Sequence, residues 1–134
     1  MMLALYKGPA TDWTHKIAHW AVCLFTGSIY SHCELVIGGI CYSASARDGS
    51  VRAKAIDLTT GRWDLIQIQG DEKAALNWFI AHQGEKYDWA GIARFVLPFL
   101  PHRSKQWFCS EACGAAIGLP NPHELTPADL AEWS

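Results

Sequence analysis

Tyr30-Ser31-His32-Cys33-Glu34-Leu35-Val36-Ile37, then Gly38-Gly39, then Ile40-Cys41-Tyr42-Ser43-Ala44-Ser45-Ala46-Arg47 is the stretch that decides the fold. Two alternating runs flank a Gly-Gly dipeptide, and glycine accepts the positive φ angles of a two-residue hairpin turn. That turn predicts the register. Ile37 faces Ile40, Leu35 faces Tyr42 and Cys33 faces Ala44, so one side of the hairpin is apolar throughout and belongs on a core. The opposite side carries His32, Glu34 and Val36 on one strand and Cys41, Ser43 and Ser45 on the other. This is a mostly polar face with a histidine in it.

Working outward, residues 1–6 read as a strand before the Lys7-Gly8-Pro9 break. Asp12 or Thr14 caps a helix running through Phe25, with Ile17, Trp20, Ala21, Leu24 and Phe25 at helical spacing. On the other side, 50–56 and 63–68 extend the sheet. Asp71 caps a helix with an Ala75, Leu76, Phe79, Ile80 stripe that stops at Gly84, and Asp88 caps another that Pro98 ends. Residues 109–117 are helix-tolerant and close at Gly118 with Pro120 beyond. Thr126-Pro127-Ala128-Asp129 starts a last helix: Thr caps, Pro occupies the first turn, and Asp stands where a capping box has Glu. Pro101 to Gln106 reads as a basic loop without apolar pattern. Strands followed by helices predict an α+β fold, a small antiparallel sheet packed against helices.

At 134 residues, half of them hydrophobic, the expectation is one domain over 1–134. A formal charge of −2 with scattered Lys and Arg excludes a nucleic-acid footprint. The apolar runs at 17–25 and 92–100 are interrupted and fall short of the roughly 20 residues of a spanning helix, so no membrane span is expected. Five cysteines, an odd number, and no signal-peptide pattern predict reduced thiols in a cytoplasmic setting.

Trp107-Phe108-Cys109-Ser110-Glu111 is where the chemistry is expected. Cys109 falls in a first helical turn, where unpaired N–H groups and the helix dipole favour a thiolate. A buried structural cysteine is the bland alternative. A nucleophile needs a base and a group to orient that base. Of six histidines, His15, His19 and His82 fall on expected helices, and His102 and His123 in loops. Only His32 lies on a strand, which holds a side chain in a fixed direction. Behind it the register offers three candidates: Ser45 directly opposite, Ser43 diagonally, and Glu34 on the same strand.

Metal and anion binding are weaker readings. His15 and His19 share a helix face without a third ligand nearby, and Cys109 and Cys113 are four apart with no second pair to complete a zinc tetrahedron. Gly38-Gly39 lies in a hairpin with no helix behind it to hold phosphate. No metal and no cofactor is assigned.

The order of these features, a histidine strand, a second strand and a late Phe108-Cys109-Ser110-Glu111, resembles the circularly permuted branch of the NlpC-type, papain-like cysteine hydrolases. The YiiX-like bacterial proteins and, more distantly, the lecithin:retinol acyltransferase group belong to it. Gly84-Glu85-Lys86-Tyr87-Asp88 is similar to the Gly-x-x-Tyr-Asp stretch of that family, and Thr126-Pro127 with Leu130 to its closing segment. The resemblance spans residues 28–130 and extends to phage- or prophage-encoded members. It implies a papain-like fold with Cys109 as nucleophile and His32 as base. It places the third polar residue at Ser43, with Glu34 as the alternative since serine departs from the family pattern.

The implied function is a thiol hydrolase that cleaves amide or ester bonds through a Cys109 thioester, on peptide or cell-wall peptide substrates. One alternative is acyl transfer or a lipid-directed hydrolysis from the same thioester. Another is a non-catalytic binding module on the same fold, motivated by the serine at position 43.

Overall fold

The computed structural model describes residues 1–8, 13–90, 93, 97, 99 and 105–133, with the side chains of 13–15, 17, 18, 21 and 25 outside that description. The hairpin forms as β2 (His32–Ile37) and β3 (Ile40–Ser45). Gly38 and Gly39 take φ of 58° and 81°, the pair of positive angles that a type I′ turn requires. Ile37 pairs with Ile40, Val36 with Cys41 and Leu35 with Tyr42. There the ladder stops. The expected pairing of Cys33 with Ala44, and of His32 with Ser45, is not part of it. The hydroxyl of Ser43 donates to the Cys33 carbonyl at 2.7 Å, taking up an acceptor that continued pairing needs.

Outside the hairpin stand β1 (Met2–Tyr6), β4 (Ser50–Lys54) and β5 (Trp63–Gln67), and the short β6 (Lys86–Tyr87) and β7 (Gln106–Trp107) complete one sheet. Its seven strands run in the order β5-β1-β2-β3-β4-β6-β7. Every pairing is antiparallel except β6 with β7, so the sheet is larger than expected and mixed at one edge. Neither β6 nor β7 was expected from the sequence: two residues are too few to show alternation. Gln106, assigned to a loop, pairs with Lys86. The remainder of that loop up to residue 104, and most of the helix expected after Asp88, lie outside the described residues.

Leu3, Leu5, Cys33, Leu35, Ala44 and Val51 are buried on one sheet face. Each fully buried leucine contributes about 1.5–3 kcal/mol relative to exposure. Over this face pack α2 (Glu72–His82) and α3 (Cys109–Ala116), with α3 lying on β2 and β3. Asp71 caps α2 by accepting from the N–H groups of Lys73 and Ala74. Ala75 and Phe79 are its buried positions, whereas Ile80 is 61% exposed and leaves the expected stripe. After a 3₁₀ turn at Pro122–Glu124 comes α4 (Pro127–Glu132), whose capping box is reciprocal. Thr126 Oγ1 accepts from Asp129 N–H, and Asp129 Oδ2 accepts from Thr126 N–H.

The first helix, α1 (Trp13–Thr26), is turned from the expected orientation. Trp20 and Leu24 point outward, 68% and 59% exposed, while Val22 is buried. Thr14 lies inside the first turn and Asp12 outside the described residues. A polar contact out of the helix accompanies this turn: His19 Nδ1 lies 2.6 Å from Ser31 Oγ. Among the described residues no helix is long and apolar enough to cross a membrane.

Candidate active site

Cys109 opens α3 and is 1% exposed. The residues after it explain how its position is held. Ser110 Oγ donates to the Leu125 carbonyl, tying the first turn of α3 to the segment before α4. Glu111, buried, accepts from the Phe108 N–H at 3.3 Å and caps the helix start, where a carboxylate also matches the positive end of the dipole. One turn on, Gly114 allows the close approach, since a Cβ there would stand 2.5 Å from Leu125 Cδ1. Ser and Glu after the cysteine therefore fix its backbone.

His32 begins β2, and its side chain is 24% exposed. Its Nε2 lies 2.7 Å from Glu34 Oε1, and the carboxylate of Glu34 is fully buried. Residues 32 and 34 share a strand face, so their side chains stand side by side. Arg52, on β4 opposite Ser43, reaches across that same face. Its Nη1 donates to Glu34 Oε2 at 2.7 Å and its Nη2 donates to Oε1. The bidentate pair neutralises a carboxylate that burial alone would penalise by several kcal/mol. Arg52 Nε in turn donates to Asp48 Oδ2 at 2.8 Å, and Lys54 Nζ to Asp48 Oδ1 at 3.3 Å. Four alternating charges, Glu34, Arg52, Asp48 and Lys54, thus stand behind the imidazole.

The electrostatics follow from this line. Burial pushes the Cys109 thiol up, but hydrogen bonds with Cys33 and the charge and hydrogen bond of His32 outweigh it and hold the group well below the usual thiol range. For His32, burial disfavours the imidazolium, and the Cys109 charge, its hydrogen bond and the Glu34 carboxylate together raise it above the usual range. The two shifts are opposite and each has the other group among its causes, the pattern of a thiolate facing an imidazolium. With Nε2 directed at Glu34, Nδ1 is the nitrogen left for the sulfur. Glu34 is lowered: burial would raise it, and its hydrogen bonds from Arg52 and His32 outweigh that.

Beside His32 opens a cavity of about 410 Å³, lined among others by Glu34, Arg52, Tyr6, Trp63 and Tyr87. Tyr87 is buried, packs against Phe108 at 6.1 Å between ring centroids, and feels the Cys109 charge. Trp63 stands edge-on to Tyr6 at 5.0 Å and to His32 at 6.4 Å.

Of the residues singled out in the sequence, Cys109, His32 and Glu34 come together. Ser43 does not join them as an orienting group: buried, its hydroxyl donates to the carbonyls of Cys33 and Ala44. Ser45 Oγ accepts from the Asp48 N–H at 3.3 Å, a turn contact. The polar side of the hairpin is no solvated face, for Glu34, Cys41, Ser43 and Ser45 are all buried. His82 stacks on Trp78 and donates from Nδ1 to the Trp78 carbonyl; His123 lies beside Glu124, and His102 is outside the described residues. His19 faces Ser31 and Cys23, and the side chain of His15 is not among those described. Cys113 directs its sulfur at the Cys33 and Tyr42 carbonyls. Among the described residues no group of three or more His, Cys, Asp or Glu gathers as a metal site. Arg52 is the site residue that sequence reasoning missed; a lone arginine in a strand reads as solvated, and only its register opposite Ser43 assigns it to this face.

No protein-family model matches the chain, and no curated protein sequence matches it.

Proposed function

We propose that the chain is a papain-like cysteine hydrolase of amide or ester bonds, with peptides, including cell-wall peptides, as substrates. The observation that carries the reading is the order Cys109, His32, Glu34, Arg52: a thiol at a helix start, an imidazole whose charge favours its thiolate, and a buried, neutralised carboxylate 2.7 Å from that imidazole. Burial of the Glu34 carboxylate calls for a cation, and Arg52 supplies it. Its second contact, to His32, is what orientation of a base requires.

In the reaction, the Cys109 thiolate attacks the substrate carbonyl and forms the C–S bond. The Cys109 backbone N–H, at the start of α3, is the donor for the oxyanion. His32, protonated on Nδ1, gives that proton to the leaving amine or alcohol as the bond to it breaks. The neutral imidazole then takes a proton from water, whose oxygen attacks the thioester. Acid is released and the ion pair is restored. Glu34 accepts from Nε2 throughout and holds the ring in one tautomer.

A second reading sends the same acyl group to an acceptor other than water or to a lipid substrate. Its support is the outward-facing Trp20, Leu24 and Ile29, each more than half exposed. The reading of a non-catalytic module loses its motive, because Glu34 supplies behind His32 what Ser43 does not.

The test is turnover of a peptide-amide library by the full chain, with intact-mass detection of an acyl-enzyme. Loss of both on Cys109→Ala and on His32→Ala is the expected result. Retention of turnover in Cys109→Ala overturns the proposal, and transfer to added nucleophiles in preference to water favours the second reading.

A further inference from the structure

The cavity beside His32 carries more charge than the reaction uses. Its cationic lining is Arg47, Arg52, Lys54 and Arg62, and Arg47 has an interaction of its own. Arg52 is engaged twice, by Glu34 and by Asp48, and Lys54 is paired with Asp48. Lys7, close by in the chain, is paired with Asp64. Arg62 differs from them: among the described residues its guanidinium pairs with no carboxylate. Asp57, the anion on the same wall, is turned onto the N–H and hydroxyl of Thr59.

Arg62 is also held. Its carbonyl accepts from the Lys7 N–H at 2.9 Å. Its methylenes lie so close to Gly8 that a Cβ there would stand 2.8 Å from Arg62 Cδ and 2.9 Å from the Tyr6 hydroxyl. Glycine at position 8 is what allows the arginine stem and the tyrosine to approach the same backbone. Less rotamer freedom is then left to lose on binding an anion.

Distance follows from the sheet. Trp63 pairs with Tyr6 and Tyr6 with His32, so the three stand in one row across β5, β1 and β2. Strands are about 4.8 Å apart, which separates the backbones at Trp63 and His32 by about 10 Å, while their rings lean together to 6.4 Å between centroids. An extended peptide advances about 3.3 Å per residue, so about two to three residues cover that row. Between the ends, Tyr6 and Trp63 form an aromatic wall along which a chain can lie.

We propose that Arg62, at the far end of the Tyr6–Trp63 wall, binds an anionic group of the substrate about two to three residues from the bond that is cleaved. The substrate class is an acidic peptide: a glutamate or aspartate side chain, or a free carboxylate, makes the bidentate contact with the guanidinium. This rests on the hydrolase reading for the identity of the cleaved bond, while the binding contact is separate from it.

The experiment measures binding and turnover apart. The full chain carrying Cys109→Ser is titrated, by two-dimensional NMR, with acetyl-tetrapeptide amides in which Glu or Gln occupies each position in turn. The Glu peptide is expected to bind about tenfold tighter at one position, the size of one charge-assisted hydrogen-bonded contact. Added Arg62→Gln brings that ratio to one, Arg62→Lys keeps part of it, and salt reduces it. Arg62 is exposed, so an unchanged melting temperature is the check that these variants fold. Equal binding of Glu and Gln peptides, a preference for Lys, or a ratio that Arg62→Gln leaves intact overturns the proposal. Turnover by the unsubstituted chain is scored separately. A Glu preference that depends on Arg62 without any turnover supports the anionic subsite and removes the hydrolase reading alone.

Discussion

Glu34 Oε1 lies 2.7 Å from His32 Nε2, and the same carboxylate accepts both terminal nitrogens of Arg52. One buried acid therefore serves two partners, Arg52 and His32, and the second of these favours the charged form of Cys109. The consequence is a division of labour. Arg52 keeps Glu34 ionised in a place where burial would protonate it, and Glu34 keeps His32 oriented and charged.

Glu34→Gln keeps the size of the side chain and removes its charge. His32 loses the carboxylate that favours its imidazolium, so its pKa falls, and the alkaline limb of the pH–rate profile moves to lower pH. Activity is expected to fall about 10²-fold, the lower end of what general acid–base catalysis contributes. NMR titration of the His32 ring checks the shift; an unmoved His32 pKa contradicts the assignment.

Arg52→Met leaves the Glu34 charge buried with the imidazole as its remaining partner. A loss of about 3–5 kcal/mol in denaturant unfolding is expected, as for any broken buried pair. The double change Arg52→Met with Glu34→Gln recovers most of that stability without recovering activity. The acid side follows by sign. Glu34 and Asp48 have folded pKa values below their unfolded ones, Asp48 at about 2, despite burial, because of hydrogen bonds from Arg52 first among its partners. Their contribution is complete above about pH 4 and disappears as pH falls through the folded values. In Arg52→Met that loss begins at higher pH, which acid unfolding curves measure.

Ser43→Ala separates the two candidates for the third residue. Its hydroxyl closes the Cys33 carbonyl, so the change costs about 1 kcal/mol of stability and leaves turnover within a few-fold of the parent. A loss of activity comparable to that of Glu34→Gln, with the His32 pKa displaced, contradicts this division.

Much of the architecture was legible because it rests on local rules. Gly38-Gly39 with alternating flanks specified the hairpin, Thr126 to Asp129 specified a helix start, and the small residues after Cys109 specified a helix that Cys109 opens. What escaped depends on contacts distant in sequence. Arg52 acquires its meaning only from Glu34, eighteen residues earlier. The choice between Ser43 and Glu34 turned on where one hydroxyl points, which alternation does not specify. The parallel pair β6 and β7 joins segments about twenty residues apart through two residues each, below the length at which a pattern exists. On α1 His19 finds a partner in Ser31 outside the helix, and hydrophobic spacing alone assigned Trp20 and Leu24 to the wrong side.

The central claim is that Cys109 is a thiolate at neutral pH because His32 stands against it as an imidazolium. Thiolate ultraviolet absorbance, recorded across pH as the difference between the parent chain and Cys109→Ser, reads this without requiring reagent to reach a sulfur that is 1% exposed. The account predicts one thiolate present at pH 7, with its midpoint well below the roughly 8.5 of an ordinary cysteine, and a return toward that ordinary value in His32→Ala. A difference spectrum that stays flat until about pH 8, or one that His32→Ala leaves unchanged, contradicts it.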